Sequence, residues 1–160
     1  MLEVGEKGVE QTAANHFNRA EVYALQFQLH KALLHYEKAY GYRPDHVEYA
    51  FHYALTLQKQ HHYPTAHTVY QEALTTYRQL AQANPSAYLP NVAGTLNNLG
   101  NLYRGTQRFS EAEQAYQEAL IILRQLVEKN SEAYTPRSRG LSERGVFSCE
   151  ECCIPAHTQG

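Results

Sequence analysis

A stretch of 34 residues, 93–126, constrains the fold most, because its apolar residues recur at spacings of three and four on both sides of a short turn. This spacing predicts two helices, each with one apolar face. Gly105 suits the end of the first helix, where a positive φ is common. Ser110 followed by Glu113 is a capping-box pattern that predicts the start of the second. One such hairpin cannot bury its apolar face alone, so the pattern predicts further copies.

Two copies precede this stretch, at residues 47–80 and 13–46. Tyr70-Gln-Glu-Ala-Leu74 repeats as Tyr116-Gln-Glu-Ala-Leu120, 46 residues later, and the first copy lies a further 34 residues upstream. The three units share a small and a large residue in the first helix, and two alanines on either side of a tyrosine in the second. These positions are Ala20, Ala54 and Gly100; Tyr23, Leu57 and Tyr103; Ala32, Ala66 and Ala112; Tyr36, Tyr70 and Tyr116; and Ala39, Ala73 and Ala119.

This set of positions resembles the tetratricopeptide repeat (TPR) family. The resemblance implies an all-α fold, a right-handed α-α superhelix (TPR solenoid) of three helix-turn-helix repeats. The added residues 81–92 and 127–136, together with Leu96-Asn-Asn-Leu-Gly100, are similar to the long-period repeats of kinesin-light-chain-like proteins. Two departures are the loss of the usual early aromatic residue and the presence of Arg19 where an aliphatic residue is normal.

The pattern divides the chain into three parts. Residues 1–8 contain two glycines and are expected to be frayed, 9–136 form the repeat domain, and 137–160 are an irregular, disordered tail. Within the domain, we expect the first helix to begin near Val9, Asp45 to cap the third helix, and the fifth to begin between Pro90 and Val92. The loss of the pattern after Pro136 suggests a truncated or frameshifted array, or a fragment of a longer one.

Composition excludes several classes of function. A formal net charge of −2 does not favour nucleic acid as a partner, and no apolar run is long enough to span a membrane. Without a signal-peptide pattern, we expect a cytoplasmic protein. No phosphate-binding loop, nucleophile motif or carboxylate pair is evident, so we expect neither enzymatic activity nor a cofactor.

The tail contains a weak candidate for a zinc site, formed by Cys149, Cys152, Cys153 and His157. Thiolates and imidazole are suitable ligands for zinc. Four ligands within nine residues leave little room for a fold around the metal. The alternative is a solvated segment with reactive thiols, and we expect no metal.

The resemblance implies that the first helix of each repeat lines a concave groove that binds a peptide. The groove candidates are Phe17, Asn18, Glu21, Phe51, His52, Leu55, Lys59, Asn97, Asn98, Asn101 and Arg104. We expect the three asparagines to hydrogen-bond a peptide backbone; the alternative is that they bridge adjacent helices. The carboxylate clamp of chaperone-binding TPR domains falls here on Phe17, Glu21, His52, Gly94 and Asn98, so binding to chaperone tails is not expected.

These observations predict a non-enzymatic module that binds a peptide segment of another protein in the concave groove. Two alternatives remain open. The repeat that ends the pattern has no capping helix, so self-association through that end is one. The other is that the chain is a fragment of a larger regulatory protein that contains TPR repeats.

Overall fold

A computed structural model describes residues 2–134, with side chains described for residues 5–129. Six helices follow one another: α1 (Leu2–Leu25), α2 (Leu29–Tyr42), α3 (Val47–Lys59), α4 (Tyr63–Ala83), α5 (Pro85–Gly105) and α6 (Phe109–Tyr134). They pair as three hairpins, and each hairpin packs against the one before it. The predicted all-α solenoid of three hairpins is confirmed.

The repeated positions form the core. Every alanine of the shared columns is buried, at 4% exposure or less, because a small residue is needed where two helix backbones approach closely. Tyr36 and Tyr70 are also buried, each between the two helices of its own hairpin. The main cluster runs from α3 to α6, and two smaller clusters join α1 and α2 to α3.

The three hairpins share one turn geometry. Phe27, His61 and Gln107 have φ values of 58°, 63° and 62°. The amide of the next residue in each case donates to a carbonyl five residues upstream, for example Arg108 to Tyr103 at 2.8 Å, which is a Schellman-type end. The expectation of a positive φ at Gly105 was therefore wrong, because Gly105 is the last residue of α5 and Gln107 makes the turn.

The first helix is longer than the sequence indicated. We expected residues 1–8 to be frayed and the helix to begin near Val9, but α1 begins at Leu2 and contains both Gly5 and Gly8. A glycine costs a helix only about 1 kcal/mol relative to alanine, and good helix formers separate these two. A salt bridge from Glu10 to Arg43, at 3.7 Å, also ties this part of α1 to the end of α2.

The fifth helix also begins earlier than predicted, at Pro85 instead of between Pro90 and Val92. A single residue, Asn84, separates α4 from α5, and its side chain accepts a hydrogen bond from the Ala87 amide at 3.3 Å. Pro85 occupies the first turn, where a missing N–H is tolerated. Pro90 lies inside the helix, and the carbonyl that it leaves unbonded belongs to Ser86, which is exposed.

Two predicted caps are also wrong. Asp45 does not cap α3: the residue before the helix is His46, and the Asp45 carboxylate instead bonds the Arg43 guanidinium at 2.9 and 3.0 Å. Ser110 lies inside the first turn of α6, which begins one residue earlier, at Phe109. The second helices all begin at the large residue that closes the turn, at Leu29, Tyr63 and Phe109.

Between Leu2 and Tyr134, no helix is both long and apolar enough to cross a bilayer. The candidate zinc ligands Cys149, Cys152, Cys153 and His157, and the predicted tail at 137–160, lie outside the described residues.

Candidate peptide-binding groove

The odd-numbered helices form the inner layer of the solenoid. Phe17 of α1 lies 4.8 Å from the Tyr49 ring and 5.2 Å from the His52 ring of α3, measured between centroids, and α3 contacts α5 directly. Long side chains bridge the even-numbered helices instead. Arg78 of α4 reaches Glu118 of α6 at 2.5 Å. The face formed by the odd-numbered helices is therefore the candidate groove.

At the N-terminal end of the groove, Glu21 of α1 contacts side chains of both α2 and α3. The Tyr36 hydroxyl donates to Glu21 Oε1, and His52 Nδ1 lies 3.1 Å from the same oxygen. Burial and the neighbouring Glu21 carboxylate raise the pKa of Tyr36, so the phenol keeps its proton. Phe17 packs edge-on against the Tyr36 and His52 rings, and this end of the groove therefore combines a carboxylate with three aromatic rings.

In each repeat, the hydroxyl of the shared tyrosine bonds a side chain of the first helix. The Tyr36 hydroxyl bonds Glu21 of α1. Two repeats later the Tyr116 hydroxyl bonds the side chain of Asn101, at 2.8 Å, and Asn101 occupies the same position in α5 as Glu21 does in α1. In the second repeat the corresponding residue is Leu55, which cannot accept a hydrogen bond. The Tyr70 hydroxyl instead donates to Gln58 at 2.9 Å. The structure thus places Asn101 in a bridge between α5 and α6, which is the alternative role that the sequence left open.

A cavity of about 270 Å³ opens in the middle of the groove, where α3, α4 and α5 meet. Phe51, Tyr77, Pro90, Asn91 and Gly94 line it. The Tyr77 ring is buried, which raises the pKa of its hydroxyl, although a hydrogen bond with Asn91 opposes this shift. A Cβ atom added at Gly94 would meet nothing within 4 Å, so the missing side chain leaves the cavity open.

The other candidates divide into three groups. Asn18, Lys59 and Asn97 are exposed on the inner helices and are accessible to a ligand. The backbone carbonyl of Asn98 accepts a long hydrogen bond from Gln58, at 3.5 Å, and Leu55 packs against the core. Arg104 lies away from these residues, at a cavity of about 350 Å³ on the free side of α6.

Five residues of this site were not among the candidates: Tyr36, Tyr77, Pro90, Asn91 and Gly94. The tyrosine column is evident in the sequence, but the partner of each hydroxyl depends on how the two helices of the hairpin are placed. Asn91 was missed because α5 was expected to begin near it. A helix begun at Asn84 would have placed Asn91 and Gly94 on one face, three residues apart.

A pair of histidines also escaped sequence analysis. His16 of α1 and His35 of α2 lie with their Nδ1 atoms 2.9 Å apart, stacked on Tyr42 and Tyr23. Burial lowers the pKa of both imidazoles, and Arg19 and Lys38 lower it further. Two imidazoles do not complete a metal site, and no group of three or more ligating side chains occurs in the part of the chain that the structure describes.

Comparison with known proteins agrees with this architecture. Residues 92–132, which span most of α5 and α6, match the tetratricopeptide repeat family model. The N-terminal domain of stress-induced protein-1 (STI-1) from C. elegans has a similar structure, with a TM-score of 0.61 and 20% sequence identity. The match covers 78% of this chain and 95% of that domain. No curated protein matches the sequence significantly.

The fold is that of a TPR-type α-solenoid, and its third hairpin matches the family model. A second structure, BtubC (BKLC) from P. vanneervenii, matches with a TM-score of 0.40 and 15% identity over 85% of this chain and 70% of that one. That similarity is too low to assign a subclass, so the kinesin-light-chain-like assignment stays a prediction.

Proposed function

We propose that this protein is a non-enzymatic interaction module that binds an extended segment of another protein in the groove formed by α1, α3 and α5. The observation that supports this most strongly is the open cavity at Gly94, which is lined by the half-buried Phe51, the buried Tyr77 and the exposed Asn91. The groove walls are held by contacts within the fold, so the site is formed before the ligand arrives. Preformation lowers the entropy cost of binding.

Affinity capture from cell lysate with the full chain tests this proposal. One variant changes Asn18, Lys59 and Asn97 to alanine, since all three are groove candidates and are exposed on the odd-numbered helices. The control changes Lys38, Gln71 and Gln114, which are exposed on the even-numbered helices and match the first set in charge and polarity. A partner retained by the control and lost by the groove variant supports the proposal. A partner retained by both variants contradicts it.

Self-association is a second candidate, because the free side of α6 exposes large apolar residues. Phe109 is 65% exposed and Val127 66%, with Leu120 and Leu123 between them. No other helix between Leu2 and Tyr134 covers this face, and an exposed apolar face of this kind is typical of an interface. Sedimentation velocity over a range of concentrations tests this. Dimers in the parent that disappear on Leu120→Glu support self-association, whereas a monomer at all concentrations excludes it.

A further inference from the structure

The middle and the N-terminal end of the groove offer two different kinds of contact to a ligand. The middle holds the apolar cavity beneath Gly94, and the N-terminal end holds the Glu21 carboxylate. We propose that the ligand is a segment with a large apolar side chain and, about three residues away, a basic side chain. This proposal rests on the groove function proposed above and specifies the chemistry of the partner.

The cavity selects the apolar residue. Phe51 and Pro90 supply apolar surface, and the lining is mostly apolar overall. A volume of about 270 Å³ is below the range of roughly 300–1,000 Å³ for small-molecule pockets, so it suits one side chain better than a cofactor. The Tyr77 hydroxyl has Asn91 as a hydrogen-bond partner within the fold.

The carboxylate selects the basic residue. Glu21 is 40% exposed, and its two intramolecular partners, the Tyr36 hydroxyl and His52 Nδ1, both approach Oε1. The charge is therefore accessible from the groove. The Phe17 and His52 rings at this end are half-buried and in contact with each other, whereas the Tyr36 ring is buried and only its hydroxyl reaches the carboxylate. Aromatic faces beside an anion attract guanidinium and ammonium groups, whereas an acidic side chain or a terminal carboxylate is repelled.

A continuous strip of rings joins the two contacts. The His52 ring lies 5.2 Å from Phe17 on one side and 5.6 Å from Phe51 on the other, and Phe51 lines the cavity. The two steps of this strip, 5.2 and 5.6 Å, together cover roughly 10 Å, and an extended chain advances about 3.3 Å per residue. An extended segment therefore needs about three residues to pass from the cavity to Glu21.

Synthetic peptides test this chemistry on the full chain. Each is acetylated and amidated, is built from glycine and serine, and carries one leucine and one arginine separated by two, three or four residues, in either order. Matched peptides replace arginine by glutamate or leucine by alanine. Fluorescence anisotropy measures binding. We expect the leucine-arginine peptides to bind more tightly than both replacements, with an optimum at one spacing.

Two variants localise the contacts. Gly94→Leu fills the cavity and should weaken binding at least tenfold, whereas Gly41→Leu, at a helical glycine with equal free space, should not change it. If Gly94→Leu does not fold, Gly94→Ala carries the test, with an expected loss of about threefold. Glu21→Gln keeps an acceptor for Tyr36 and His52 and removes the charge, so it should weaken the arginine peptides about fivefold and leave arginine-free peptides unchanged.

The outcomes separate this proposal from the groove function. Glutamate peptides that bind as tightly as arginine peptides, or binding insensitive to Gly94→Leu, overturn the proposed chemistry. If the partner captured from lysate still depends on Asn18, Lys59 and Asn97, the groove function stands without it. If no peptide binds and the captured partner does not depend on those residues, both proposals fail.

Discussion

Helices α4 and α6 carry the same sequence pattern in different surroundings. Their interface positions correspond at an offset of 46 residues, from Tyr63 and Phe109 at the start to Ala81 and Val127 near the end. On α4 these positions pack against α5: Leu74 is 7% exposed and Tyr77 4%. On α6 the matching Leu120 and Leu123 are each 47% exposed. Among the described residues, α4 has a following hairpin to pack against and α6 has none, as expected for a fold in which each repeat contacts only the adjacent ones.

Substituting the same leucine in both helices tests this comparison with the largest expected effect. We expect Leu74→Ala to lower the free energy of unfolding by about 2–4 kcal/mol, because it leaves a cavity between α4 and α5. Leu120→Ala removes a half-exposed side chain and should cost less than about 1 kcal/mol. Urea denaturation followed by circular dichroism measures both. Equal losses would show that α6 has a neighbour in solution.

A second contrast concerns the small residue that packs against the shared tyrosine, which is alanine in the first two repeats and glycine in the third. Ala20 and Ala54 fit under Tyr36 and Tyr70, but a Cβ atom at Gly100 would lie 2.5 Å from the Tyr116 ring. We expect Gly100→Ala to destabilise the protein by about 1–2 kcal/mol, since the ring must move and its bond to Asn101 is weakened.

Gly94→Ala is the matched control, in the same helix with free space around it. It should stabilise the protein by up to about 1 kcal/mol through helix propensity alone. Thermal unfolding of the two variants should therefore shift the midpoint in opposite directions. A stabilising Gly100→Ala would mean that the Tyr116 ring moves aside at no cost.

The turns provide a smaller test. Gln107 holds a φ of 62°, a conformation that costs a non-glycine residue roughly 1 kcal/mol or more. We expect Gln107→Gly to raise the stability by about 0.5–1 kcal/mol, because glycine adopts this φ without strain. Gln125→Gly, on the exposed side of α6, should have the opposite sign. Chemical denaturation distinguishes the two.

The smallest effect that we expect is a dependence of stability on pH in the first hairpin. The folded chain lowers the pKa of His16 and His35, so the unfolded chain binds more protons below its own pKa of about 6.5. Stability should therefore fall as the pH decreases through that value. His16→Leu, which introduces the residue found at the same position in the third repeat, should reduce this dependence, and the exposed-site control His61→Leu should not. An unchanged pH profile in His16→Leu would contradict the assignment.

Sequence analysis predicted the fold well, because the packing columns are local patterns. Ala32, Tyr36 and Ala39 follow the helical period and are all buried. It failed where one residue decides a boundary: Asn-Pro-Ser at 84–86 resembles a loop, yet Asn84 alone forms the break. Neither the positive φ at Gln107 nor the link between Glu21 and His52 leaves a periodic signal, since both depend on how one helix is placed against the next.

The site was less predictable than the fold for the same reason. Asn97 and Asn101 carry the same side chain four residues apart, but Asn97 is exposed and Asn101 bonds Tyr116 of the next helix. The cavity at Gly94 needs three helices to define it. Which groove residues contact a ligand stays a prediction.

Hydrogen exchange of the full chain, with and without the partner obtained by affinity capture, tests the central claim most directly. The account predicts that the partner slows exchange in the inner helices, over 9–25, 47–59 and 85–105, and leaves 109–129 unchanged. Slowing confined to 109–129 would place the binding site on the free face of α6 and would contradict binding in the groove.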